Sequence, residues 1–598
     1  MSDATLDTAA GPGRRRSRMR HLWVLALIAA GLMIAGPLFL DRFTVNVLTR
    51  SMIFAILAVT VDLLWGFTGI LTFGQAAFFG AGAYATAMVL THLGSTPGLM
   101  VLGLVLSIVL PVLLAAAVGW LTFYPGSTEF YATVISLVVP IVVTQVIYSG
   151  GTWTGSSSGL VGYVGLDLSL GGFFRLAGLS LVAVVVVALI FVRSDAGRVL
   201  TAIRNNETRC AYLGISTQKV KIALTAVLAA VTGYAGFLYA NASGVVAPEN
   251  AGFVFGTQLV VWTALGGRGT VIGPALGAVA IDYLSAQLSG QMPFLWQLVI
   301  GTLFVAMIIF MPNGLAALAT GWRRMRRGED GFSPQLVALP PRAARAPADG
   351  DSPLLRIEKL EKSYGSQKVL EDITLQVRRG ELVSLVGPNG AGKTTLMRCM
   401  TDGKAASGGT VRIHGTSISG MVPDQIVARG IGRKFQVASV FDSLTVAECL
   451  RMARVSHEAP SFLRSADSLS LPQAAIEILR LTGLDQHLGR AVSLLSHGQK
   501  QSLELAMVVS LEPELILLDE PTAGLTAAER TTIGQVLMKL TSELGLAAIL
   551  VEHDLDFVRD ISSRIVVLHQ GRLVLDGTVE EVVNDEIVKR IYSGGDHV

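Results

Sequence analysis

The chain has 598 residues, 51% of them hydrophobic and only 15% charged, with a formal net charge of +3 and a mean hydropathy of +0.56. Soluble domains carry roughly 25% charge, so a wholly water-soluble protein is excluded. The length calls for more than one domain, and a net charge of +3 is too small to argue for nucleic acid.

The shortage of charge is confined to the first half. Residues 22–192 hold seven charged side chains (Asp41, Arg42, Arg50, Asp62, Glu129, Asp167 and Arg175), and residues 222–320 hold three (Glu249, Arg268 and Asp282). From Leu354 onward, charge returns to an ordinary soluble density. The expected organisation is a basic N-terminus (1–21), a transmembrane domain (22–320), a linker (321–353), a soluble domain (354–592) and a short tail (593–598).

A bilayer core about 30 Å thick needs roughly 20 apolar helical residues. Runs of that size occur at Leu22–Leu40, Val45–Trp65, Ile70–Leu90, Leu99–Phe123, Phe130–Ser149 and Phe173–Val192. The first follows the basic run Arg14–Arg20. It is long for a signal-peptide core and no small-residue cleavage site follows, so it is expected to be a retained span. Beyond Lys221 come three apolar blocks. The middle one, about Phe253–Gln287, is too long for one span and is interrupted by Gly266-Gly267-Arg268-Gly269-Thr270, which predicts a broken or re-entrant helix. The total is about eight to ten spans. The clusters Arg14–Arg20, Arg193–Lys221 and Arg323–Arg327 place both termini in the cytoplasm by the positive-inside rule.

Gly66–Gly82 is crowded with glycine and polar residues. Close helix packing through small residues explains it, and a substrate path using Thr68, Thr72 or Gln75 is the alternative. Asp62 and Glu129 fall near expected span ends, where an interfacial role suits an ionisable side chain. The charged loop 193–221 reads as helical through Arg198–Leu213, with Gly214 as its stop; it is a candidate docking segment for a partner domain. The linker, rich in Pro, Ala and Gly, reads as a flexible tether. Cys210, Cys399 and Cys449 show no metal-ligand spacing.

In the soluble half, the apolar run Leu382–Val386 precedes Gly387-Pro388-Asn389-Gly390-Ala391-Gly392-Lys393-Thr394-Thr395 and a helix-like segment. This is GxxxxGK[ST] between a strand and a helix, the context of a phosphate-binding loop. Its glycines free backbone N–H groups to face phosphate oxygens at a helix N-terminus. Lys393 is placed to neutralise β- and γ-phosphate charge, and Thr394 to hold Mg²⁺. A second buried strand, Leu515-Ile516-Leu517-Leu518, ends in Asp519 and Glu520. Asp519 suits a Mg²⁺ partner, and Glu520 suits a group that orients or deprotonates the attacking water.

With these motifs the region 354–592 resembles the ABC transporter ATPases, an α/β P-loop NTPase fold. Leu495-Ser496-His497-Gly498-Gln499 resembles the family signature LSGGQ, with His497 replacing the first glycine. The resemblance implies that Ser496, Gly498 and Gln499 clamp ATP held by a second ATPase domain. It further implies that Gln436 is the Q-loop residue near Mg²⁺ and water, His553 the switch histidine, and Tyr364 the aromatic stacking on adenine. Thr526 departs from the family's D-loop aspartate. The membrane half, over about residues 45–318, resembles permeases of branched-chain amino acid and urea or short-amide importers. That resemblance rests on Leu63–Gly69, Gly266–Pro274 and Ala202–Glu207.

The implied assembly contains a second permease and ATPase half, an extracytoplasmic binding protein and membrane lipid; ATP and Mg²⁺ are the implied cofactors. Within the ATPase region, Arg433-Lys434-Phe435-Gln436 and Ser496–Gln501 look closer to the urea type. Tyr212–Thr217 looks closer to the amino acid type, so the substrate stays open. An ABC exporter and a non-transporting ATP-gated regulator are the rival classes.

Overall fold

The computed structural model describes residues 13–124, 129–292, 334–340, 353–463 and 468–586, with isolated positions between 295 and 314 and at 588. Two compact units divide the chain. The expected last span is described at isolated positions alone, and most of the linker and the C-terminal tail lie outside the described residues.

The first unit is helical. Its helices are α1 (Gly13–Ala35), α2 (Arg42–Thr68), α3 (Gln75–His92), α4 (Pro97–Thr122), α5 (Glu129–Ser149), α6 (Leu170–Arg193), the start of α7 (Asp195–Asn205), α9 (Thr217–Ser243), α10 (Phe253–Gly266) and α11 (Ile272–Gln291); α8 (Glu207–Ala211) belongs to the second unit. Among the described residues, six helices are long and apolar enough to cross a membrane. They differ sharply in surroundings. The apolar window of α2 is 89% buried by protein, whereas those of α4, α5 and α6 are each 22% buried. A helix apolar all round and enclosed is a core helix, and helices with large exposed apolar faces suit lipid. So α2 forms the centre, packed against α3, α6, α10 and α11.

Close approach between helices needs small residues. A Cβ on Gly82 would lie 2.7 Å from Gly233 Cα and 2.9 Å from Ser107 O, so α3, α9 and α4 meet at backbone distance. Thr68 spends its hydroxyl on Leu64 O at 2.5 Å, and Thr72 Oγ1 accepts from Gly74 N at 3.2 Å. Gln75 is fully buried and its Oε1 accepts from Thr232 at 2.9 Å. Small-residue packing therefore accounts for most of this run.

The predicted interruption falls between α10 and α11. Gly267, Gly269 and Val271 all take positive φ there (109°, 76° and 63°). For a β-branched residue that conformation is strained and persists only when neighbours hold it. Asp62 supplies the hold: its carboxylate accepts from Gly269 N at 2.5 Å and Val271 N at 2.9 Å. Asp62 is fully enclosed by protein, which corrects its expected interfacial position. The reason is that non-helical backbone inside an apolar bundle must find acceptors within the protein. Arg268 lies over the Trp65 ring, 5.2 Å from its centroid. Arg50 and Asp282 pair at 3.2 Å between α2 and α11, with Ser51 Oγ donating to the same carboxylate at 2.6 Å. Asp62, Arg268, Arg50 and Asp282 thus all lie where α2 meets the broken helix.

The second unit contains residues 201–217 together with the described residues after 329, apart from 462 and 463. A six-stranded sheet runs in the order 572–577, 564–569, 382–386, 547–551, 515–519, 431–434. All pairs are parallel except the first. A four-stranded antiparallel sheet, 367–377, 355–364, 408–413, 416–417, lies beside it in sequence. The parallel strands Leu382–Val386, Leu515–Asp519 and Ala547–Val551 are buried at every position, as expected of strands covered on both faces.

Two expectations need correction. Within the expected flexible linker, Gln335–Ala338 is a strand, paired in parallel with Ser468–Leu471; its backbone finds ladder partners that a tether would leave to water. The expected single helix over Arg198–Leu213 is two helices, α7 and α8. They break at Asn206, whose side chain accepts from Arg209 N at 2.9 Å and so caps the second helix. Gly214, at φ 78°, does end the segment.

Gly66→Ala tests the lock on the broken helix. The added Cβ would meet Asp62 Oδ1 and lie 2.5 Å from Gly269 N. A loss of about 1–3 kcal/mol is expected for such overpacking, read as a lower melting temperature of the detergent-solubilised chain. An unchanged melting temperature would show that the break yields freely.

Candidate functional site

Four adjacent parallel strands (382–386, 547–551, 515–519 and 431–434) end at one edge of the sheet, and each delivers a motif there. In α/β folds ligands bind outside these carboxyl ends. The first strand leads into Gly387–Gly392. Gly387, Gly390 and Gly392 have φ of 153°, 83° and 105°, and Gly392 caps the helix Lys393–Thr401. A Cβ on Gly392 would lie 2.8 Å from Leu370 Cδ2, so the antiparallel sheet closes over the loop. Tyr364, exposed, ends the strand of that sheet that pairs with 367–377. Asn389 and Gly390 are exposed, Ala391 is buried, and Thr394 and Thr395 open the helix. Lys393 Nζ donates to Gly387 O at 2.6 Å and Pro388 O at 3.0 Å. Burial pulls its ammonium below the usual lysine range, and Glu520 and Asp519 oppose that shift.

The third of these strands carries Asp519 and Glu520. Asp519 is buried, and among the described residues its Oδ1 has no hydrogen-bond partner. Burial pushes its carboxyl above the ordinary aspartate range, with Arg433 acting against this. Glu520 sits at φ 45°, an uncommon backbone state for a non-glycine residue. Its carboxylate accepts from Gln436 Nε2 at 2.9 Å through one oxygen and from His553 Nε2 at 2.9 Å through the other. Gln436 and His553, from two other strand ends, therefore converge on the Glu520 carboxylate. Next to His553, Glu552 is buried and accepts from Thr522 N at 3.0 Å and Thr522 Oγ1 at 2.7 Å, which fixes the turn after Glu520.

The signature residues stand apart. Ser496 caps the helix His497–Val509, accepting from Gln499 N at 3.2 Å while Gln499 Oε1 accepts from Ser496 N at 3.1 Å. Among the described residues, no hydrogen bond or ion pair joins Ser496, Gly498 or Gln499 to 387–395. Thr526 has a local role: it caps the helix Ala527–Leu544 in a reciprocal box with Glu529.

The helix His497–Val509 also holds the segment around Gln436, which sequence reasoning missed. Gln501 Nε2 donates to Gln436 O at 3.1 Å, and Glu504 Oε1 accepts from Phe435 N at 3.1 Å. Their three-residue spacing, which puts both on one helix face, was the available signal. Glu504 also pairs with Arg209 at 3.3 Å, both side chains being completely buried. Tyr212 meets the Phe435 ring edge-on at 5.0 Å, and Asn205 and Asn206 donate to Ser443 and Ser439 at 2.6 and 3.0 Å.

Residues 370–523 match the family model described as ABC transporter, and residues 43–308 match the branched-chain amino acid transport system / permease component. The high-affinity branched-chain amino acid transport ATP-binding protein LivG of Salmonella typhimurium (strain LT2) is 35% identical over 252 residues, 40% of this chain and 98% of its own. BraF of Pseudomonas aeruginosa, of the same description, is 32% identical over the same shares. The chain belongs to the ABC transporter family. It joins a permease component to an ATP-binding cassette, and this transporter chain couples ATP hydrolysis to transport. A solved nucleotide-free ATP-binding cassette from an ABC transporter is 25% identical over 40% of this chain and 99% of its own, with a TM-score of 0.35.

Removing the Glu552 carboxylate should leave Thr522 N–H and its hydroxyl unpaired in a buried place. Glu552→Ala is expected to cost about 1–3 kcal/mol, measured as a lower denaturant midpoint for loss of fluorescent ATP-analogue binding by the full chain. An unshifted midpoint would show that the turn stands without Glu552.

Proposed function

We propose that this chain imports a small polar solute, with branched-chain amino acids as the substrate, by supplying one permease and one ATPase domain to a membrane complex. The observation that carries this is the joint match: the permease model spans most of the first unit, and the ATPase half is similar to LivG and BraF over nearly their whole lengths. Urea or a short amide is the second reading, favoured by the segments Arg433–Gln436 and Ser496–Gln501. The complex contains a second permease and ATPase half and an extracytoplasmic binding protein. It lies in the bacterial inner membrane, with the ATPase domain and both termini in the cytoplasm.

In this reading the backbone of Gly387–Gly392 and the helix start at Lys393 hold the phosphates of ATP, with Asn389, Ala391 and Thr395 lining the loop. Tyr364 stacks on the adenine. Lys393 exchanges its loop carbonyl partners for β- and γ-phosphate oxygens. Mg²⁺ fits beside Asp519, whose buried, unpartnered Oδ1 is an acceptor suited to a hard cation, with Thr394 and Gln436 completing its surroundings. The metal ion would neutralise charge developing on the phosphates. Glu520 orients the attacking water and takes up its proton. His553 and Gln436 fix the Glu520 carboxylate before the water arrives. Ser496, Gly498 and Gln499 clamp the γ-phosphate bound by the partner ATPase domain, which agrees with their separation from the loop of their own domain.

Glu520→Gln should lower kcat for hydrolysis by about 10²–10⁴-fold while ATP still binds; normal turnover would remove Glu520 from its role. Lys393→Ala should weaken ATP binding by about 10-fold or more, measured by titration with a fluorescent analogue, and unchanged affinity would deny the phosphate contact. Uptake of labelled leucine and labelled urea into proteoliposomes containing the full complex and its binding protein decides the substrate. ATP-dependent leucine accumulation is expected, and accumulation of urea alone would replace it. Transport out of the cytoplasmic side would instead make the chain an exporter.

A further inference from the structure

Arg209 is the unusual charge of the second unit. It stands on α8, within the candidate docking segment, and its side chain is completely buried. A buried guanidinium must be supplied with acceptors. Nη1 lies 3.3 Å from Glu504 Oε1 and donates to Arg433 O at 3.0 Å, and Nη2 donates to Glu504 O at 3.5 Å. Both acceptor residues belong to the machinery around Gln436. Glu504 accepts from Phe435 N, Gln501 one turn away donates to Gln436 O, and Gln436 Nε2 reaches Glu520. Polar contacts joined by the Phe435–Gln436 backbone therefore lead from α8 to the Glu520 carboxylate.

The surroundings keep this series stiff. Arg433 Nη1 donates to Thr401 Oγ1 at 2.8 Å, on the helix that starts at Lys393, and Arg433 lies over the Phe435 ring at 4.9 Å. Tyr212 packs against Phe435, with Arg433 5.7 Å from its own ring centroid. Lys434 is buried as well, its Nζ donating to Phe435 O at 3.2 Å. Displacing α8 strips acceptors from a charged group in a low-dielectric place, and the cheaper response is for Glu504 and the Phe435–Gln436 backbone to move with it.

We propose that Arg209 is a positioning residue through which the docking segment sets Gln436 against Glu520, so that hydrolysis responds to the docking segment through this guanidinium. The inference rests on the reading of Glu520 and Gln436 given above. It concerns a residue outside the nucleotide motifs and assigns the coupling to one ion pair instead of to the docking surface as a whole.

The test uses the full chain in its assembled complex in lipid. Arg209→Met should lower kcat for ATP hydrolysis by about 10-fold or more, with KM for ATP within about twofold of wild type. Arg209→Lys, which keeps the charge, should recover part of the loss. Glu504→Gln, nearly isosteric and still able to accept from Phe435 N, should lower kcat in the same way and serves if Arg209→Met does not fold. The double variant should be no worse than the poorer single, since both changes cut one series of contacts. A kcat within about twofold of wild type in folded Arg209→Met or Glu504→Gln overturns the inference. So does a loss that follows a lowered melting temperature and is not relieved by Arg209→Lys, or a double variant whose losses simply multiply. If Glu520→Gln hydrolyses normally in the same assay, the underlying reading fails. If Glu520→Gln is inactive and Arg209→Met is normal, this inference alone fails.

Discussion

Glu520 binds Gln436 with one carboxylate oxygen and His553 with the other, and the arrangement of the second unit follows from making that possible. The three residues lie far apart in the chain. They meet because strands 431–434, 515–519 and 547–551 are parallel neighbours in register, so that Lys434, Leu518 and Leu550 lie in one row. Parallel neighbours bring all their carboxyl ends to one edge, where loops can gather without breaking the ladder. The positive φ of Glu520 is tolerated there because Glu520 N donates to Val551 O and the following turn is tied to Glu552. Strain of this kind turns a side chain out of the strand's alternation and toward the edge.

The first unit answers the same requirement in an apolar setting. Every backbone N–H that leaves a helix inside the bundle needs an acceptor. Asp62 provides it for two of them at the break between α10 and α11, and Gly66 leaves the space in which they approach. The segments Leu63–Gly69 and Gly266–Pro274 carry the permease resemblance separately in the sequence. In the fold they touch, and their composition is explained by that contact: a glycine for distance, a carboxylate one turn away for the exposed N–H groups, and an aromatic ring beneath Arg268.

Local chemistry made much of this legible. The phosphate-binding loop declares itself because its glycines, lysine and hydroxyls must be consecutive. The interruption after Gly266 declares itself because glycines accumulate where a helix cannot continue. The break at Asn206 was less visible, since an asparagine that caps a helix looks like any polar loop residue until its side chain is seen to accept from Arg209 N. The strand at Gln335–Ala338 was hidden for a different reason: four residues have no periodicity of their own, and only the partner at Ser468–Leu471 makes them a strand.

The sequence by itself determined the division into an apolar half and a nucleotide-binding half, the position of each consecutive motif and the place where a helix must break, because each depends on neighbours in the chain. Only the tertiary structure decided that Asp62 is a buried backbone acceptor, that Thr526 is a helix cap and that Arg209 lies buried against Glu504. For Asp62 and Arg209 the outcome depends on which distant group supplies a hydrogen bond once water is excluded, and pairing of that kind leaves no periodic trace; Thr526 is settled by its near neighbour Glu529.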